Sequence, residues 1–172
     1  LEAKLEPECS DVFIIAVPTP INENYDPDLS FLKAAVEQIS PLLKNNNVLI
    51  FESTTPVGTT EKTLEWIKKI RPDLNLPIFG RRNYSSDIYV AYCPERVLPG
   101  QVVKELVSND RIIGGLTNKC AKKAQAIYKL FTNGNCYLTD CRTAEMCKLI
   151  ENSYRDVNIA FANELSLICN KL

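Results

Sequence analysis

Histidine is missing from all 172 residues. That absence removes Ser-His-Asp and Cys-His catalysis, and His-ligated metals, from what the chain can do by itself. Proton transfer is left to Glu, Asp, Lys, Tyr, Cys or water. The cysteines are odd in number and irregularly spaced, at Cys9, Cys93, Cys120, Cys136, Cys141, Cys147 and Cys169, and no two make a Cys-x-x-Cys pair. Neither a zinc site nor any other metal is expected, and reduced thiols in a cytoplasmic protein are the natural reading. Twenty Lys and Arg stand against 21 Asp and Glu, so the basic surplus that a nucleic-acid surface requires is lacking. No apolar run reaches the roughly 20 residues of a membrane span. The opening LEAKLEPECSD is too polar and acidic for a signal peptide. Only six glycines occur, and none falls in the Gly-x-Gly-x-x-Gly pattern that opens most dinucleotide-binding sheets.

What remains is a globular composition, 45% hydrophobic and 24% charged, enough for one domain or one and a fraction. Residues 11–18 (DVFIIAVP) form a short apolar run ended by proline, which suits a strand buried on both faces. Asp28 can cap a helix over 29–43 that buries Leu32, Val36, Ile39 and Leu43. Residues 47–53 (NVLIFES) read as a second strand and 59–70 as a helix closed by Pro72. Strands follow at 88–93, 111–114 and 136–139, with a helix over 119–131 between the last two. Such alternation predicts an α/β fold with a parallel sheet, and the lack of a Gly-rich opening makes it a Rossmann-like sheet whose first βαβ unit is expected to be missing. Ligands of such sheets bind beyond the C-terminal ends of the strands.

Three loops at those ends carry unusual chemistry. In 17–20 (VPTP), two prolines fix the backbone and hold the Thr19 hydroxyl at the sheet edge. In 52–58 (ESTTPVG), Ser53, Thr54 and Thr55 offer hydroxyls just before a helix start, which attracts anions or orients water but is equally served by plain capping. In 93–100 (CPERVLPG), Glu95 is an acid in a proline-bounded loop, either a general base or a partner for Arg96 or Lys104.

The longest motif is 142–169, RTAEMCKLIENSYRDVNIAFANELSLIC, which has no Gly or Pro to break a helix. Met146, Leu149, Ile150, Tyr154, Val157, Phe161, Leu165 and Ile168 recur at helical spacing as one apolar face. A second stripe is polar and holds Glu145, Lys148, Asn152 and Asn163, with Arg155 or Asp156. Lys148 and Asn152 are four apart and point the same way. A cation beside an amide can hold an anionic oxygen, whereas an ordinary polar face is simply solvated.

Taken in order, VPTP, ESTTPVGTTEK, AYCPERVLPGQVVKELVSNDRIIGG and the 142–169 motif resemble the UDP-glucose/GDP-mannose dehydrogenase family. The PERVLPG wording favours the branch acting on UDP-N-acetyl-D-mannosamine over UDP-glucose enzymes. The resemblance implies two-step oxidation of a UDP-sugar C6 alcohol to a carboxylate by NAD, through a cysteine thiohemiacetal and thioester. It implies Lys148 as the oxyanion holder, Asn152 as its assistant, Glu95 as base for thioester hydrolysis and Thr54 as the water-binding threonine. Val17, Pro18, Thr19, Ser53 and Thr54 would meet the cofactor. Glu95, Arg96, Val97 and Leu98 would lie along the substrate with Lys148 and Asn152.

The family's nucleophilic cysteine lies in a Gly-rich GGxC-type motif, and none of the seven cysteines has that context. The chain is therefore expected to be an internal segment, inactive alone. Residues 1–140 would be the later part of the NAD-binding domain, and 141–172 the start of a central helix through which two copies pair. Two alternatives stand beside this: a relative acting on UDP-N-acetylglucosamine or UDP-glucose, and a non-catalytic binding or assembly module.

Overall fold

The computed structural model describes residues 2–81, 84–97 and 100–172. Five strands and five helices alternate in it: β1 (Val12–Ile15), α1 (Ser30–Ile39), β2 (Val48–Phe51), α2 (Thr59–Ile70), β3 (Tyr89–Tyr92), α3 (Val102–Ser108), β4 (Arg111–Gly115), α4 (Asn118–Tyr128), β5 (Cys136–Asp140) and α5 (Cys141–Cys169). All four residues of β2 and of β3 are buried, as strands covered on both faces should be. Leu32, Val36 and Ile39 of α1 are buried, and α1 packs on α2, whose Trp66 and Ile67 join the same core. Asp28 Oδ1 accepts the Ser30 N–H at 2.8 Å. The expected 29–43 helix ends early because Pro41 has no N–H to continue it, and the chain tightens into a 3-10 turn over Ser40–Leu42.

The strands lie in the order β1-β2-β3-β4-β5. Pairings β1–β2, β2–β3 and β4–β5 are parallel, but β3–β4 is antiparallel, with Tyr92 opposite Gly114 and Ala91 opposite Gly115. The sheet is thus mostly, not wholly, parallel. After β3 the chain stays at the same end of the sheet, turns through α3 and enters β4 from there. Helix α3 has no counterpart in the sequence reading, and none of its residues is fully buried. Helix α4 covers β2 to β5.

Asp140 caps α5, accepting the Thr143 N–H at 2.9 Å and its hydroxyl at 2.7 Å. Gly114 lets α5 start close to the sheet, since a Cβ there would meet Ala144 Cβ at 2.6 Å. Only Cys141, Ala144 and Glu145 of α5 are buried. Residues 153–172 are exposed throughout, because a 29-residue helix, about 43 Å long, outruns the sheet it starts on. The expected apolar face therefore exists as a pattern without a covering surface, with Tyr154, Val157, Phe161, Leu165 and Ile168 all exposed. No described helix is long and apolar enough to cross a membrane.

Candidate functional site

The exits of β1 and β2 are stapled together. Ser53 Oγ accepts the Val17 N–H at 2.8 Å and donates to the Val17 carbonyl at 2.7 Å. Thr19 Oγ1 donates to the Thr54 carbonyl at 2.7 Å. Ser53 is buried and its hydroxyl is fully used in this staple. The two loops thus form one rigid ledge at the C-terminal ends of two parallel strands, carrying Val17, Pro18 and Thr19 beside Thr54.

From this ledge the structure leads to a cavity of about 870 Å³. Thr54, Glu95, Arg96, Val97, Lys148 and Asn152 all line it. Residues up to 98 positions apart in sequence (54 and 152) therefore share one hollow. Val17, Pro18, Thr19 and Ser53 are not among its lining residues, and Leu98 lies outside the described residues. A second cavity of similar size, about 810 Å³, is lined by Phe79, Leu116, Thr117, Leu138 and Asp140 among others and holds none of the candidate site residues.

Within the first cavity Glu95, Arg96, Lys148 and Asn152 each have a defined partner. Glu95 Oε1 accepts the Val97 N–H at 2.6 Å, which curls the loop around its own acid. Lys148 Nζ donates to the Glu95 carbonyl at 2.6 Å, so the ammonium sits against the loop. Arg96 forks onto Glu151, with Nη2 at 2.9 Å and Nε at 3.1 Å from Oε1, and its carbonyl accepts from Asn109 Nδ2 at 2.7 Å. Nε also lies 3.3 Å from Oε2, so the guanidinium holds the carboxylate through several charge-assisted hydrogen bonds. Asn152 Oδ1 accepts from Arg155 at 2.8 Å, which leaves the amide NH₂ as its free donor.

Glu145 belongs to the same polar stripe but is wholly buried. Its carboxylate accepts from Gly58 N at 2.6 Å, Thr60 N at 2.8 Å and Thr60 Oγ1 at 2.6 Å. Burial pushes its carboxyl up, against the pull of these donors. Gly58, with φ +93°, begins α2 without a side-chain cap of its own, and the acid supplies one from another helix. The sequence reading placed Glu145 on the polar stripe with Lys148 and Asn152 and gave it no buried partner. The only hint to the contrary was a helix start lacking Ser, Asp or Asn at its cap, in a chain rich in such residues elsewhere.

Behind the cavity, Tyr128 donates to Glu52 Oε1, and Arg111 lies 4.5 Å above the Tyr128 ring. Cys93 is buried beside them, and burial pushes its thiol up to about 11. Cys120 and Cys141 are likewise buried, whereas Cys9 and Cys169 are exposed.

Chemically, the cavity offers a cation, an amide donor and a carboxylate on a fixed frame, a set suited to a substrate that develops negative charge on oxygen. Known proteins resemble the chain along its whole length. The model of the UDP-glucose/GDP-mannose dehydrogenase family NAD binding domain matches residues 2–132, and the model of that family's central domain matches residues 142–172. An NDP-N-acetyl-D-galactosaminuronic acid dehydrogenase of Ralstonia nicotianae is 57% identical over 172 residues, 100% of this chain and 40% of that protein. A UDP-N-acetyl-D-mannosamine dehydrogenase of Yersinia pestis is 54% identical over 171 residues, 99% of this chain and 40% of that protein. Among solved structures, the UDP-N-acetyl-mannosamine dehydrogenase of Staphylococcus aureus superposes with a TM-score of 0.84 at 45% identity, over 99% of this chain and 40% of that one. The chain thus spans about 40% of the length of the curated relatives it matches, and its mostly parallel sheet is their Rossmann-like arrangement.

Proposed function

The chain belongs to the UDP-glucose/GDP-mannose dehydrogenase family, and from that premise we propose that it is the segment of a UDP-N-acetyl-D-mannosamine 6-dehydrogenase carrying one side of the NAD site and the charged side of the sugar site. The observation that supports this reading is the convergence of Thr54, Glu95, Lys148 and Asn152 on one cavity. When an aldehyde at C6 is attacked by a thiolate, the carbonyl oxygen becomes an oxyanion. Lys148 and the Asn152 amide are the donors that meet it, and fixed donors at a developing charge act with little reorganisation. Glu95 is the base that takes a proton from water when the thioester is hydrolysed, and Thr54 orients that water. Arg96 holds its loop against α5 through Glu151, so that the backbone of Glu95–Val97 presents itself to the sugar.

The ledge of Val17, Pro18, Thr19, Ser53 and Thr54 fits an NAD molecule by place, at the C-terminal ends of two parallel strands. It does not fit the pyrophosphate, because the first amides of α2 are already bound by Glu145. NAD supplies the hydride acceptor when bound; the residues here order the substrate and neutralise its charge. The nucleophilic thiol and the phosphate-binding glycines are to be supplied by flanking sequence. In this reading residues 1–140 belong to the cofactor domain and 141–172 to the central domain, where the exposed apolar face of α5 pairs with a second copy. The product, a UDP-aminosugar uronate, feeds bacterial surface-polysaccharide synthesis in the cytoplasm, in keeping with seven free thiols. A sister specificity for UDP-N-acetylglucosamine or UDP-glucose is the nearest rival within the family, and the relative from Ralstonia nicotianae adds an N-acetylgalactosamine-type sugar to that set. The exposed face of α5 favours, as a second reading, an assembly module without catalysis.

The test is NADH formation from NAD⁺ and UDP-N-acetyl-D-mannosamine. The chain alone is expected to give none. With its flanking coding sequence restored it turns over, and Lys148→Ala then lowers kcat by about 10²–10³-fold. Turnover by the chain alone, or a restored enzyme that prefers UDP-glucose, overturns the assignment.

A further inference from the structure

Two features of Glu145 go beyond any role in holding substrate. It reaches across from α5 to cap α2 with three hydrogen bonds, and it lies three and seven positions before Lys148 and Asn152 on the same helix. Those spacings put all three side chains within about 60° of one another around the helix axis. The loop that α2 grows from is the ESTTPVG segment bearing Thr54, and Glu145 grips it at Gly58, four residues on. We propose that Glu145 is a positioning residue: by capping α2 from α5 it sets the rotation and height at which Lys148 and Asn152 face Thr54 and Glu95.

The geometry argues for this over simple packing. A buried carboxylate is a costly way to fill space unless its acceptors are all used, and here both oxygens accept from donors on a single helix start. The remaining anchors of α5 act at other points. Asp140 caps its start, the Arg96–Glu151 pair is partly exposed, at 35% and 39%, and the Arg142–Glu61 pair, which also joins α5 to α2, is more than half exposed on the arginine side. Among the described residues, only Glu145 ties the helix to α2 from a fully buried position.

The inference rests on the reading of Lys148 and Asn152 as the charged side of the sugar site, and two measurements separate its failure from the failure of that reading. Amide exchange on the 172-residue chain compares wild type with Glu145→Ala and Glu145→Gln. Gly58, Thr60 and the first turns of α5 should exchange about 10-fold faster in the Ala variant, beyond any change in β1 to β3, with the Gln variant between because it keeps one acceptor oxygen. In the enzyme with flanking sequence restored, Glu145→Ala should lower kcat by at least about 10-fold with the KM for NAD⁺ within about two-fold, and Glu145→Gln should recover part of the loss. Exchange that rises only in step with the strands overturns the strut. Faster exchange with unchanged kcat overturns its positioning role. A wild-type enzyme that oxidises no nucleotide sugar overturns the functional reading, while the exchange result still decides whether the strut exists.

Discussion

Glu145 meets three donors and no close cation, so its titration reports the contest between burial and hydrogen bonding. Tyr92, Cys141 and Glu61 are the other titratable groups that sense it or act on it. Burial dominates and raises its pKa above the ordinary 4.5. A raised acid binds its proton more tightly when folded, so its favourable contribution is complete below pH 4.5 and fades as pH rises through the folded value. Thermal melts of wild type should lose stability over that rise, and Glu145→Gln should flatten it. The thiols give a second readout at this scale: an Ellman titration of native chain should label Cys9 and Cys169 at once, with Cys93, Cys120 and Cys141 reacting only on unfolding, since all three are buried away from the reagent and burial also holds Cys93 and Cys141 as thiols. Lys148, Asn152, Glu95 and Thr54 are named through the resemblance of the long motifs that hold them, and all four line one cavity. Glu145 could not be picked out, because its partner lies 85 residues away and periodicity cannot tell a buried acid from a solvated one.

Among the elements, caps and breakers decided most of the outcome. Asp140 carries the start of α5 through two hydrogen bonds to Thr143, so Asp140→Ala should cost about 1 kcal/mol in a denaturant melt. The free end of the same helix should behave differently. If the proposed pairing of two copies runs through its apolar face, Phe161→Asp should shift sedimentation toward monomer and leave the melting temperature of the sheet nearly unchanged, because Phe161 touches no core. Every strand of the sheet was readable as an apolar run bounded by Gly, Pro or Asn. Strand direction was not, since a run buried on both faces looks alike either way round. The reversal between β3 and β4 is set by where the connecting loop ends, and the short, unburied α3 inside that loop carries too weak an apolar face to be seen in advance.

At the scale of the whole molecule, Thr54 at a strand end, the Glu95 loop and a charged helix are brought to one hollow, while the nucleophile and the glycine loop are proposed to lie elsewhere. The bonds from Glu145 to Gly58 and Thr60 span 87 and 85 residues, and that separation has a consequence in time. Local helices form within microseconds, but contacts between distant segments wait for the intervening chain to be ordered. The start of α2 therefore stays uncapped until nearly the entire sheet has assembled and α5 has docked. Refolding followed by pulsed amide labelling should show β2 and β3 protected first and Gly58 and Thr60 last. On the ribosome the same order holds: the helix that presents Thr54 is made early but gains its cap only after some 85 more residues have emerged.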